Sequence, residues 1–205
     1  MSPRPRTTSD ATILDAVSRV IARVGPGALT LADVAKEAGH SPAGLVQRFG
    51  SKHGLLLALA RTRAAGVHAE FAAGRDRNPS PTEALMETLA GITHHADTPE
   101  ALGHHLAFAL MDLHDADFHR AAFDHARAML DEIGASLYAM VAAGELAECD
   151  TGGVARTVQT AYNGALVTWA VYRQGSLAEW LRGEIEAVLE PWLPPLADED
   201  ADAPA

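Results

Sequence analysis

Cysteine is all but missing: Cys149, between Glu148 and Asp150, is the only one in 205 residues. A single thiol excludes an intrachain disulfide framework and leaves a cysteine-based zinc site without ligands. Its acidic neighbours disfavour the thiolate, so an ordinary reduced cysteine is expected rather than a reactive one. Aromatic residues make up only 5% of the chain. Alanine, leucine and valine must therefore build most of the core, and Ala-rich segments with few β-branched runs favour helix. Long apolar runs are absent too. The longest uncharged stretch, 157–172, has 16 residues and contains Gln159 and Asn163, which is short for a membrane span. The opening MSPRPRTTSD lacks the apolar segment of a signal peptide. A cytoplasmic protein with no membrane partner is expected. Strand-like alternation and internal repeats are also missing.

What is present is an ordinary globular balance, 48% hydrophobic and 21% charged. The net charge of −11 argues at first against a polyanionic partner, but it is unevenly spread. Residues 1–75 carry ten Lys/Arg against five Asp/Glu, whereas residues 76–205 carry six against twenty-two. A basic head on an acidic body is the asymmetry of a small polyanion-binding unit joined to a regulatory one.

Along the chain, residues 1–9 read as a disordered basic tail, with Arg4 and Arg6 free to touch phosphate. Ser9 or Thr8 caps a first helix. On it Ile13, Leu14, Val17, Val20, Ile21 and Val24 recur every three to four residues, until Gly25-Pro26-Gly27 ends it. Thr30 caps a short helix over 31–38, with Asp33 in its first turn. Gly39 stops it, Ser41 caps the next, and Pro42 takes the first helical position, where its missing N–H is harmless. Leu45 and Phe49 lie one turn apart on the inner side. Ser51 then opens a longer helix reaching about Ala73. The stretch 74–82, GRDRNPSPT, reads as a loop at the junction of head and body. Further helices are expected near 82–95, 99–114, 117–143, 153–173 and 176–192, and 196–205 as an acidic disordered tail. The expected fold is all-α, with about nine helices: a three-helix head at 10–56 and a helical regulatory body at 57–195.

Helices at 31–38 and 42–49, joined by Gly39-His40, form a helix-turn-helix whose second member presents its outer face to a DNA major groove. That helix's N-terminus offers free N–H groups to phosphate. Its outer side carries Pro42, Ala43, Gly44, Gln47 and Arg48. Gln pairs with adenine and Arg with guanine, while the small Ala43 and Gly44 allow close approach and contact with a thymine methyl.

The stretch ILDAVSRVIARVGPGALTLADVAKEAGHSPAGLVQRFGSKHGLLLALA resembles the DNA-binding domain of the TetR family of transcriptional regulators. The landmarks are Gly25, Thr30, Val34-Ala35, Gly39, Ser41, Leu45, Phe49, Ser51-Lys52 and Leu55-Leu56. The resemblance covers roughly residues 10–60, and in the body Asn163-Gly164 resembles a polar-Gly pair of the family's eighth helix. It implies DNA contact from Thr30, Ser41, Pro42, Ala43, Gly44, Gln47, Arg48 and Lys52. It also implies a homodimer through the last two helices, a palindromic operator and release by a small-molecule effector, most often from repression. Where the family has Gly-Thr-Leu-Tyr this chain has Ala43-Gly44-Leu45-Val46, so two phosphate contacts are absent and Gln47 and Arg48 carry more. Gly44 destabilises that helix by about 1 kcal/mol relative to Ala, which suggests a need for close approach to DNA.

By the same resemblance, His105 (or His104), Phe108, Met111 and Asp112 border an effector pocket, faced by Met129, Ile133, Asn163 and Trp169. Seven of the ten histidines lie between positions 94 and 125, but their spacing matches no compact metal motif, and neither a metal nor a cofactor is expected. Enzyme-like strings fail in context. Gly39-His40-Ser41 follows a helix rather than a strand. His68-Ala69-Glu70 has no P-C-x-x-C after it. There is no P-loop. The rival reading is a metal- or small-molecule-binding helical protein with a weakened head.

Overall fold

A computed structural model describes residues 9–93, 96, 98–109, 111 and 115–194. Among the described residues there are nine α-helices and no strand: α1 (Asp10–Ala28), α2 (Leu31–Ala38), α3 (Pro42–Phe49), α4 (Lys52–Arg77), α5 (Pro81–Gly91), α6 (Pro99–Ala109), α7 (Ala116–Ala142), α8 (Thr151–Tyr172) and α9 (Leu177–Leu189). A 3₁₀ turn at Glu190–Trp192 follows. The tails at 1–8 and 195–205 lie outside the described residues.

Capping sets most helix starts. Ser9, Thr30, Ser41, Ser51, Ser80, Asp115 and Ser176 each accept a hydrogen bond from a backbone N–H of their own first turn. Thr30 with Asp33, and Ser176 with Glu179, complete reciprocal capping boxes. The break expected at Gly25 is there, with φ 76° and ψ 163°, but a further turn follows it through Ala28.

The buried side chains form two cores. One gathers Ile13, Val17, Val20, Ile21, Val34, Leu45, Leu55 and Leu56 of the first four helices, with Leu29 from the turn after α1. The other gathers Phe71, Leu85, Leu89, Met129, Ile133, Leu137, Val158, Trp169 and Leu181. They are not separate bodies. Helix α4 serves both, with Leu57 and Leu59 in the first and Val67 and Phe71 in the second. The boundary expected at 56/57 thus falls within one continuous helix. Phe108 of α6 and Phe118 of α7 cross into the head core, edge to face at 6.1 Å.

The loop expected at 74–82 shrinks to three residues, because α4 continues to Arg77. Arg77 and Asn78 both donate to Glu87 of α5, at 2.6 and 2.7 Å, which holds that last turn helical. Farther along, Glu132 of α7 is buried. Burial opposes its charge, but hydrogen bonds from Arg75 and His68 outweigh it and hold the carboxyl below its usual range. This cluster fastens α7 to α4.

Candidate DNA interface and a cavity at the head–body seam

The turn between α2 and α3 is closed by Gly39 in the left-handed region, φ 63°, and by the His40 N–H donating to the Ala35 carbonyl at 2.8 Å. Leu45 is fully buried and anchors α3 to the head core. Pro42, Ala43, Val46, Gln47 and Arg48 lie exposed on the opposite side. Gln47 makes no hydrogen bond among the described residues. Val46 is 45% exposed and leaves an apolar surface on this side of α3.

Other expected contacts are already engaged within the head. Arg48 forms an ion pair with Asp10 at the start of α1. Lys52 donates to the Gly27 carbonyl at 2.8 Å, tying α4 to the end of α1. The Thr30 hydroxyl is paired with Asp33, and Ser41 Oγ accepts from the Gly44 N–H at 3.1 Å. Gly44 has a local reason as well: a Cβ there would stand 2.3 Å from Cε1 of His40. The imidazole of the turn, not only an approaching phosphate, makes use of the missing side chain. Arg19 and Arg23 both turn to Glu37, so part of the head's positive charge is neutralised internally.

An exposed ion pair contributes about 0.2–1 kcal/mol, so Asp10 would compete only modestly with a phosphate or base for Arg48. Asp10→Asn is expected to tighten DNA binding by about 1.4- to fivefold. Weaker binding, measured by anisotropy, would mean that Asp10 orients Arg48 for its contact instead.

Between head and body lies a cavity of about 260 Å³, walled by α1, α4, α6, α7 and Ile92. At its centre is Arg63. Its guanidinium donates to His105 Nε2 at 3.1 Å and to Ser18 Oγ at 3.4 Å, and it lies over the Phe108 ring, 5.6 Å from the centroid. Burial pulls its pKa down, against the field of Glu70. His125 lines the same cavity, and its Nδ1 is buried with no partner among the described residues. Burial, then the Arg63 charge, lower the His125 pKa and favour the neutral ring.

The structure spreads the eight expected effector residues. His105 lines the cavity. Phe108 lies just behind Arg63, and Met111 packs on the head core. Met129, Ile133 and Trp169 are buried in the body core, with Trp169 Nε1 donating to the Gly175 carbonyl at 3.3 Å. Asn163 is exposed on the outside of α8, because the buried stripe of that helix runs through Val158, Tyr162, Ala165 and Trp169. Asp112 lies outside the described residues. Arg63 and His125 were not singled out from sequence, although Arg63 carried a signal. It stands four residues from Leu59 and four from Val67, a cation in the middle of an apolar stripe.

The histidines are also dispersed. His68 faces Glu132, and His104 donates through Nδ1 to the Ala22 carbonyl at 2.9 Å. His94, His95 and His114 lie outside the described residues. His53 stands with Asp115 and Asp117 close enough to share one cation. Asp115 is engaged in capping α7, however, and Asp117 lies 3.7 Å from Arg61. Among the described residues no helix is long and apolar enough to cross a membrane.

Residues 13–59 match the family of bacterial regulatory proteins, tetR family. No curated protein matches the chain. Among solved structures, a chain described as a TetR-family transcriptional regulator from a Rhodococcus species is 25% identical. The alignment covers 88% of this chain and 97% of that one, with a TM-score of 0.64. A TetR transcription regulator from Haloarcula marismortui is 17% identical over 90% of this chain and 98% of that one, with a TM-score of 0.73. The regulator FadR from Bacillus subtilis, solved with stearoyl-CoA, is 16% identical over 88% and 98%, with a TM-score of 0.62.

Proposed function

We infer, from a head that belongs to the TetR family of bacterial regulatory proteins and a body with that family's fold, that this chain is an effector-responsive transcriptional regulator. In this reading it binds a palindromic operator as a homodimer and is a repressor released by a small molecule. The observation that carries the reading is α3. It is anchored by Leu45, capped by Ser41, and presents Ala43, Val46, Gln47 and Arg48 to solvent on one side. Such a rigid, exposed second helix is what major-groove reading requires. The family and these neighbours are regulators rather than enzymes.

The dimer face is assigned to α8 and α9. Val167, Val171 and Tyr172 are exposed large apolar residues on α8, and Thr160, Gly164, Val167 and Val171 recur on one side at heptad spacing. Two heads on such a dimer meet two half-sites about one helical turn or more apart. That FadR is solved with stearoyl-CoA supports a body that accommodates an effector. By linkage, an effector that weakens DNA binding itself binds more weakly to the DNA complex.

The test is fluorescence anisotropy of the full chain on its own upstream intergenic DNA against a scrambled duplex, at several salt concentrations. Selective binding that weakens steeply with salt is expected. Gln47→Ala and Arg48→Ala should each weaken it roughly tenfold. Equal binding to both duplexes, or none, would favour the rival reading of a small-molecule-binding protein with a weakened head. The internal engagement of Arg48 and Lys52 is the observation on that side.

A further inference from the structure

We propose that the cavity at the head–body seam binds a small organic carboxylate, with the Arg63 guanidinium as its counter-ion. That this carboxylate is the effector, acting on DNA binding through α1, rests on the regulatory reading above.

A buried cation is normally met by a carboxylate, because desolvating it alone is expensive. Among the described residues none lies within ion-pairing distance of Arg63. Its partners are a hydroxyl, an imidazole and an aromatic face. The imidazole is tuned for that duty: His105 Nδ1 faces the Ala101 carbonyl at 3.1 Å, which places the proton on Nδ1 and leaves Nε2 to accept from Arg63. His125 contributes an unsatisfied ring nitrogen to the same space. The guanidinium fork is complementary to the two oxygens of one carboxylate.

The cavity also selects charge and size. Among the described residues its wall carries one cation, Arg63, beside the carboxylates of Glu70 and Asp15. Asp15 is turned to Arg19, and Glu70, seven residues from Arg63 on α4, is exposed. One cation beside two acids suits a monoanion and repels a phosphate dianion. Leu14, Leu59 and Ile92 provide apolar wall for the remainder of the molecule. A volume of about 260 Å³ suits a short aliphatic chain or a single ring rather than a long acyl chain.

The position couples the site to the head. Leu14 and Ser18 belong to α1, and Ser18 is one of the groups holding Arg63. A carboxylate that draws Arg63 away from Ser18 replaces a direct bond between α1 and α4 with its own contacts. Helix α1 remains tied to α6 by His104 and the Ala22 carbonyl, so α1 and α6 move together.

The experiment is isothermal titration and thermal denaturation of the full-length protein with benzoate and with straight-chain carboxylates from acetate to octanoate. The matching amides and inorganic phosphate serve as comparisons. Saturable binding by at least one carboxylate is expected, with its amide and phosphate at least tenfold weaker. Arg63→Met, which fills the space without the buried charge, should fold and lose that preference. Glu70→Gln should tighten carboxylate binding severalfold. The assignment is overturned if no carboxylate outperforms its amide, if phosphate binds as well, or if Arg63→Met keeps the preference. Operator binding is measured in parallel. Carboxylate binding that depends on Arg63 but leaves operator affinity unchanged would retain the site and refute its role as effector site. Operator binding without any carboxylate response would refute the site and leave the DNA-binding reading intact.

Discussion

On the proposed dimer, Val167→Asp combined with Val171→Asp is expected to give a folded monomer and to weaken operator binding by about 10²-fold or more, the avidity lost when two heads are no longer linked. Both valines are exposed on α8, at 49% and 72%, so a carboxylate at either position meets solvent in the isolated protomer and leaves its core untouched. In a two-fold dimer the same face meets its own copy. Each aspartate then loses solvent beside a like charge with no cation to meet it. Sedimentation velocity reads the monomer directly, and an unchanged far-ultraviolet circular dichroism spectrum excludes unfolding as the cause. A variant that still sediments as a dimer would remove α8 from the interface.

Gly25→Val destabilises the protein by about 3 kcal/mol, from backbone strain combined with overpacking. At about 2–4 °C per kcal/mol for a chain of this size, the melting temperature falls by about 6–12 °C. Gly25 has φ 76° and ψ 163°, a region closed to residues with a side chain. A Cβ there would also stand 3.0 Å from Cδ2 of His104, the ring that donates to Ala22 and holds α6 against α1. Strain and displacement act on the same seam. Gly27→Ala is the matched control, two residues on in the resumed helical turn. Nothing lies within 4 Å of its added Cβ and its φ is not positive, so it should be neutral or stabilise by about 0.4–1 kcal/mol. Equal melting temperatures for the two variants would show that the break at Gly25 is not what shapes the end of α1.

Much of the head was legible because its signals are local. A cap and its N–H partner are three residues apart, as at Thr30–Asp33 and Ser41–Gly44. A buried stripe repeats within one helix, as at Ile13, Val17, Val20 and Ile21. The body's helices were legible for the same reason, with end points shifted by a few residues. Helix α4 overran its expected end because Glu87, ten residues from Arg77, holds its last turn.

The proposed carboxylate site was not legible in that way. Asn163 was assigned through a family pattern, yet its helix turns it outward while Tyr162 takes the core position. Arg63 stands in the apolar stripe of α4, but the groups that meet it come from α1 and α6, which only packing brings together.

By itself the sequence determined an all-helical chain, a helix-turn-helix with a capped second helix, a basic head on an acidic body and the absence of an intrachain disulfide. Composition, capping and 3.6-residue periodicity act over one to two turns and need no knowledge of what packs against them. Only the tertiary structure decided that Arg48 meets Asp10, that Lys52 meets Gly27, and that Arg63 and His125 share one cavity. Those partners stand 25 to 62 residues apart in sequence, and which side chains meet across such distances is set by how the helices cross and pack.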